Sequence, residues 1–199
     1  MRGIIVLSTQ RSGSTMVCDD LAGTGLLGNP TEYFLKFMEI NEPVNFKIEY
    51  EQICKKASTK NGCISFKIMS NQIDIIGKLI IDSAILKVPS PQTAFWEFFH
   101  KMVFVRVIRK DKVAQAVSRV LAKATNIYHL VVKGDNSMNG LLKTQYSDKE
   151  REEEHLQYSE RKISNEIKSI NKEEYFLDQF ITRFNIEVTN LFYEKIIED

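Results

Sequence analysis

The stretch from residue 4 to residue 34, IIVLSTQRSGSTMVCDDLAGTGLLGNPTEYF, constrains the chain more than any other. The run Ile4-Ile5-Val6-Leu7 has the length and composition of a buried strand. It breaks into Ser8-Thr9-Gln10-Arg11-Ser12-Gly13-Ser14-Thr15, small and polar with one permanent cation, and a helical pattern resumes through Met16, Val17, Leu21 and Ala22. Strand, loop and helix in that order put successive backbone N–H groups at a helix N-terminus. There the dipole and the unpaired donors favour an anion, and Arg11 with the hydroxylated residues adds charge-assisted and neutral hydrogen bonds. The expected ligand is a phosphate or sulfate ester. The nucleotide P-loop G-x-x-x-x-G-K-[ST] is not met, since Ser14 stands where its lysine would be and no Gly lies five residues before Gly13. A P-loop kinase or NTPase is disfavoured.

Thr9-Gln10-Arg11-Ser12-Gly13-Ser14-Thr15 resembles the phosphosulfate-binding loop T-x-R-S-G-S-T of the bacterial sulfotransferase family typified by trehalose 2-sulfotransferase. The likeness continues: Thr24-Gly25 and Gly28-Asn29-Pro30-Thr31-Glu32-Tyr33-Phe34 are similar to that family's T-G-x-x-G-x-P-x-E-[YF]-F segment, at the same distance from the loop. The resemblance implies a three-layer α/β P-loop-like fold, with a central parallel sheet flanked by helices. It also implies a donor, 3′-phosphoadenosine 5′-phosphosulfate (PAPS), whose product is adenosine 3′,5′-bisphosphate. Arg11, Ser12, Gly13, Ser14 and Thr15 would hold the 5′-phosphosulfate, Arg11 and Glu32 would be catalytic, and Glu32, as general base, would touch the acceptor together with Tyr33 and Lys67.

Size and charge agree with one such domain. The chain has 199 residues, 43% hydrophobic and 27% charged, which suits a globular core and neither disorder nor a fibrous class. A formal charge of +1 argues against extended nucleic-acid binding as the main role. Cys18, Cys54 and Cys63 form no C-x-x-C pair and no even set, so a disulfide framework is not expected and the setting reads as reducing and cytoplasmic. No run approaches a membrane span. His100, His129 and His155 lie far apart, off ligand spacing, and no metal site is expected.

Further along, residues 35 to 60 suggest one or two helices interrupted near Pro43. Asn61-Gly62 is a turn signal, and Cys63-Ile64-Ser65-Phe66-Lys67-Ile68-Met69 alternates like a strand. The stretch is similar to the family's N-G-x-x-x-x-K-x-M, which would put Lys67 toward the end of a central strand. Read by itself, Lys67 is an edge-strand lysine that blunts pairing. Residues 71–85 fit a helix with a broad apolar face, which Pro89 and Pro91 are expected to end, and residues 93–100 fit a short aromatic helix packed on the sheet.

Met102-Val103-Phe104-Val105-Arg106-Val107-Ile108 reads as a second firm strand, leading into a helix that begins near Asp111 and runs to Ala124, with the Asp111 carboxylate as cap. Arg109 and Ser118 match the family's R-x-D-x-x-x-Q-A-x-S, an arrangement implied to hold the 3′-phosphate. A guanidinium supplies the bidentate geometry and a hydroxyl a further donor. Residues 134–140 are turn-rich, and residues 148–155 form a charge run. The family carries an aromatic after the Q-A-x-S helix, commonly Trp; Tyr128 or His129 stands there, which leaves the acceptor open. Residues 156–180 read as a long amphipathic helix with a break near Asn171, and residues 186–194 as a last strand similar to the family's V-x-Y-E segment.

The reading is therefore a single sulfotransferase-like domain over residues 1–199, expected to lack the family's C-terminal portion. It would move a sulfuryl group from PAPS to a hydroxyl of a carbohydrate or glycolipid. The resemblance implies a homodimer. The alternative is a catalytically incompetent sulfotransferase-fold module that binds nucleotide or another chain.

Overall fold

The computed structural model describes residues 2–38, 44–125 and 159–198. Four strands, β1 (Gly3–Ser8), β2 (Ile64–Met69), β3 (Val103–Ile108) and β4 (Val188–Phe192), form one sheet in the order β2-β1-β3-β4 with every pairing parallel. Helices cover both faces, as all-parallel sheets require. They are α1 (Ser14–Gly23), α2 (Phe46–Ala57), α3 (Ile73–Asp82), α4 (Pro91–Phe99), α5 (Lys112–Thr125), α6 (Glu160–Arg183) and the short α7 (Tyr193–Ile196).

The period-two alternation of the strands divides the core. Ile5 and Leu7 of β1, Phe66 and Ile68 of β2 and Phe104 of β3 point to a large cluster with α2, α3, α4 and α6. Val6 and Val107 point the other way, to a smaller cluster with Val17 and Cys18 of α1. Residues of β2 therefore fall into two sets: Phe66 and Ile68 pack in the large core, and Lys67 is turned toward α1. The three-layer α/β architecture expected from the sequence is the one observed, with β1 at the crossover between β2 on one side and β3 on the other. In open α/β sheets that switch point is where ligands bind.

After α1, residues 28–34 run along the free edge of β2. Lys67 N–H donates to the Thr31 carbonyl at 3.1 Å, so this segment covers an edge that would otherwise offer unpaired backbone groups. Gly28, at φ 83°, lies against Ser65 where a Cβ would overlap the β2 backbone. Phe34 then inserts into the large core, its ring 5.4 Å from Phe66, 6.3 Å from Phe46 and 6.4 Å from Phe99.

Several expectations shift. Lys67 lies on the edge strand of the described sheet and not on a central one, because among the four strands β2 pairs with β1 alone. Pro91 does not end α3: that helix stops at Asp82, followed by Ala84 at φ 54°, and Pro91 instead opens α4 at its first turn behind the Ser90 cap. The long C-terminal helix runs unbroken across Asn171 from a Ser159 cap to Arg183, and the last strand is shorter than read, with Tyr193 and Glu194 beyond its end in α7. Tyr128, His129, the turn-rich residues 134–140 and the charge run at 148–155 lie outside the described residues. Asp111 caps α5 as expected, its carboxylate accepting from Ala114 N–H at 2.8 Å.

Because Phe34 is wholly buried among four other rings, Phe34→Ala should cost about 3–5 kcal/mol, the usual range for deleting a core aromatic. Urea unfolding followed by circular dichroism measures it, and a cost below about 1 kcal/mol would contradict this packing.

Candidate anion-binding active site

The loop after β1 is held in a conformation that its residues do not prefer. Arg11 has φ 61° and Gly13 φ 91°, the left-handed region that disfavours any residue with a Cβ and suits glycine. Two buried side chains of α5 hold it there. Gln115 Nε2 donates to Thr9 Oγ1 at 2.9 Å and to the Gln10 carbonyl at 2.8 Å, and Arg119 Nε donates to the same carbonyl at 3.1 Å. Arg119 is itself pinned: its two terminal nitrogens fork onto both oxygens of Glu173 on α6, each at 2.7 Å. Gln115 and Arg119 are four residues apart and so share one helix face. The loop hangs on α5, and α5 on α6.

Past Gly13, α1 begins with Gly13 as a cap that has no side-chain bond, so its first N–H groups face the loop. Arg11 Nε donates to Ser118 Oγ at 2.8 Å, which joins the loop directly to the middle of α5. Burial first, and then the neighbouring Arg109 guanidinium, lower the Arg11 pKa, while Tyr193 works in the opposite sense. Two cations are therefore brought together at the carboxyl ends of β1 and β3. Arg109 lies over the Tyr193 ring with 4.6 Å to its centroid. Arg109 Nε and Ser12 Oγ are buried with no hydrogen-bond partner among the described residues. Buried polar atoms without partners cost free energy.

A second charged group sits beside the loop on the α1 face. Lys67, with its side chain 5% exposed, places Nζ 3.0 Å from Glu32 Oε1 and donates to Thr15 Oγ1 at 2.9 Å. A buried ammonium requires partners of this kind. The sequence does not reveal this link: Lys67 ties the last hydroxyl of the loop to Glu32. Glu32 is fixed from both directions, by Thr31 on the β2 edge and by Phe34 in the core, and Tyr33 closes the turn by donating its hydroxyl to the Asn29 carbonyl at 2.8 Å. Burial raises the Tyr33 pKa and pushes the Cys18 thiol up to about 12, so the cysteine beside Lys67 and Glu32 stays protonated. Asp19 also approaches Lys67, and burial raises its carboxyl despite that ammonium.

The structure thus brings Arg11, Ser12, Gly13, Ser14, Thr15, Arg109 and Ser118 to one end of the sheet, with Lys67 joining Thr15 to Glu32, while the neighbouring Tyr33 bonds back to Asn29 and packs its ring on Phe66. Ser118 bonds to Arg11, a pairing that the expected association with Arg109 did not include. Gln115, Arg119, Tyr193 and Glu194 were not singled out from sequence. Gln115 and Glu194 stand inside the quoted Q-A-x-S and V-x-Y-E strings, and Arg119 is one helical turn from Gln115. The surface concavities lined by Asp74, Lys78 and Arg183 and by Lys47, Tyr50 and Phe98 contain none of these residues.

Among the described residues, the switch point of the parallel sheet thus carries Arg11 and Arg109 beside the start of α1. The model of the Stf0 sulphotransferase family matches residues 3–199, and the chain belongs to that family. A search of curated proteins finds no match.

The clamp and its neighbour each generate a test. Arg119→Met leaves Glu173 with only the Ser169 hydroxyl, which donates to it at 3.0 Å, and leaves the Gln10 carbonyl to Gln115 alone. Since Glu173 is partly exposed, the stability loss should be about 2–3 kcal/mol, below the ~3–5 kcal/mol of a fully buried pair; denaturant unfolding reads it. Glu194 supplies the pH test. Burial opposes its ionised form, but N–H groups of Asp111, of Glu194 itself and of Lys110, with Arg109 nearby, outweigh that and hold the carboxyl below the usual carboxylate range. A lowered folded-state value means stability that is present above the ordinary range and lost as pH falls through the folded value. Thermal unfolding from about pH 6 downward should therefore show a steeper acid loss for the unaltered protein than for Glu194→Gln.

Proposed function

We propose that the protein transfers a sulfuryl group from PAPS to a hydroxyl of a carbohydrate or glycolipid acceptor. The observation that carries this reading is the convergence of Arg11 and Arg109 on a helix N-terminus, where Ser12 Oγ and Arg109 Nε lack partners among the described residues. These residues fit a ligand with anionic groups at two ends. The bound donor supplies the sulfuryl group.

Charge in such a transfer spreads over equatorial oxygens, while nucleophile and leaving oxygen lie in line, so positioning and electrostatic stabilisation do most of the work. Arg11, with Ser12, Gly13, Ser14 and Thr15, binds the 5′-phosphosulfate and neutralises charge gathering on the leaving phosphate. Ser118 orients the Arg11 guanidinium, and Arg109 binds the 3′-phosphate. Glu32 accepts the proton of the acceptor hydroxyl. Lys67 keeps Glu32 aimed through their 3.0 Å ion pair, and Tyr33 borders the acceptor beside it. We also propose a reducing, cytoplasmic setting, supported by three free cysteines, and a homodimer, as the resemblance implies. Among the described residues no helix is long and apolar enough to cross a membrane.

Calorimetric titration with adenosine 3′,5′-bisphosphate tests the donor site. Saturable binding is expected, weakened roughly 10- to 100-fold by Arg11→Ala or Arg109→Ala, the scale of a lost charge-assisted contact. No binding by the folded, unaltered chain would sink the donor assignment. With donor and a panel of sugars and glycolipids, Glu32→Gln should lower kcat by about 10²- to 10⁴-fold while leaving bisphosphate affinity in place. Binding without turnover on any acceptor would instead favour the incompetent binding module.

A further inference from the structure

β3 and β4 are parallel neighbours with Ile108 opposite Phe192, so the residues just beyond their carboxyl ends emerge side by side. Three consecutive residues on one side meet three on the other. Lys110 Nζ lies 4.6 Å from the Phe192 ring centroid, and the Arg109 guanidinium 4.6 Å from that of Tyr193. Glu194 Oε1 accepts from the N–H groups of Lys110 at 2.8 Å and Asp111 at 3.0 Å. Asp111 in turn caps α5, so the short arm carrying Arg109 is tied at its far end to a helix and along its length to the β4–α7 junction. Tyr193 also reaches the other half of the site. Its ring lies so close to Gly13 that a Cβ there would overlap it, and its influence extends to Arg11.

We infer that Tyr193 and Glu194 are positioning residues that set the separation between the Arg11 loop and the Arg109 arm, and so select a nucleotide bearing anionic groups at both its 5′ and 3′ positions over one with a 5′ group alone. The inference rests on the donor assignment above. Glu194 acts on the backbone, by satisfying two N–H groups that would otherwise turn to water and loosen the arm. Tyr193 acts as a spacer: one aromatic ring touches the glycine of the first half-site and supports the cation of the second. Without the pair, Arg109 keeps its charge but loses its place, and a guanidinium that must be ordered on binding gives up part of its affinity.

The experiment compares adenosine 3′,5′-bisphosphate with adenosine 5′-monophosphate by calorimetry on the full chain. The unaltered protein should prefer the bisphosphate. Glu194→Ala and Tyr193→Leu should each weaken bisphosphate binding by about tenfold and monophosphate binding less than about twofold, so the preference collapses. Tyr193→Phe, which keeps the ring, should retain the preference. Glu194→Gln keeps a neutral acceptor of the same size and should lose about threefold on the bisphosphate alone; it carries the test should the Ala variant not fold. A general structural role would lower both affinities together, and that result, or an unchanged preference in Glu194→Gln and Tyr193→Leu, overturns the inference while the donor assignment stands. An unaltered protein that binds neither nucleotide overturns the assignment, and the inference with it.

Discussion

Burial and then the neighbouring Arg109 guanidinium disfavour charge on Arg11, and the surrounding contacts hold the two cations in place against that repulsion. Arg11 sits on a left-handed backbone within a loop that would relax if released. Gln115 and Arg119 prevent that by gripping the Thr9 hydroxyl and the Gln10 carbonyl, and Ser118 takes the Arg11 guanidinium itself. Arg109 is held from the other side by Tyr193 and by Glu194 acting on the next two N–H groups. The two cations are thus held in place by the protein's own contacts, against the strain of the loop and their mutual repulsion.

The means of support differ between the two halves. The Arg11 loop depends on a relay that begins at Glu173 on α6, passes through Arg119 and ends on a backbone carbonyl. α6 therefore affects the loop without contributing a residue to it. The Arg109 arm depends on strand register: β3 and β4 end together, so the Arg109–Asp111 arm and the start of α7 must pack against each other. Glu32 uses a third device. Its segment covers the edge of β2, sends Phe34 into the core on one face and meets Lys67 on the other. The loop after β1 and the Glu32 carboxylate are thereby joined through a single ammonium, which bonds Thr15 and Glu32 together.

This arrangement also explains the tolerance of a buried lysine on an edge strand. An isolated ammonium in that position would be costly to bury, whereas here a carboxylate and a hydroxyl offset the loss of water. Lys67 does not blunt strand pairing, because the Gly28 to Thr31 segment already occupies that edge.

Local pattern was enough to read the strands of β1, β2 and β3, the turn at Asn61-Gly62, the α1 start and the Asp111 cap, since each depends on residues adjacent in the chain. The motif strings likewise marked Arg11, Glu32, Arg109 and Ser118 without any tertiary information. Other features were legible only in three dimensions. Whether Pro91 stops one helix or starts the next depends on where α3 has already ended. The partner of Ser118 depends on how α5 crosses the loop, 107 residues away along the chain. Arg119 looks like any helical arginine until α6 brings Glu173 to it, and Tyr193 looks like the end of a strand until Gly13 is found beneath its ring. The sequence by itself determined which residues could bind an anion, because residue type and short spacing set charge, hydrogen-bonding capacity and local backbone. Only the tertiary structure decided which of them meet and what holds them there, because strand order and helix packing place side by side groups that no local pattern connects.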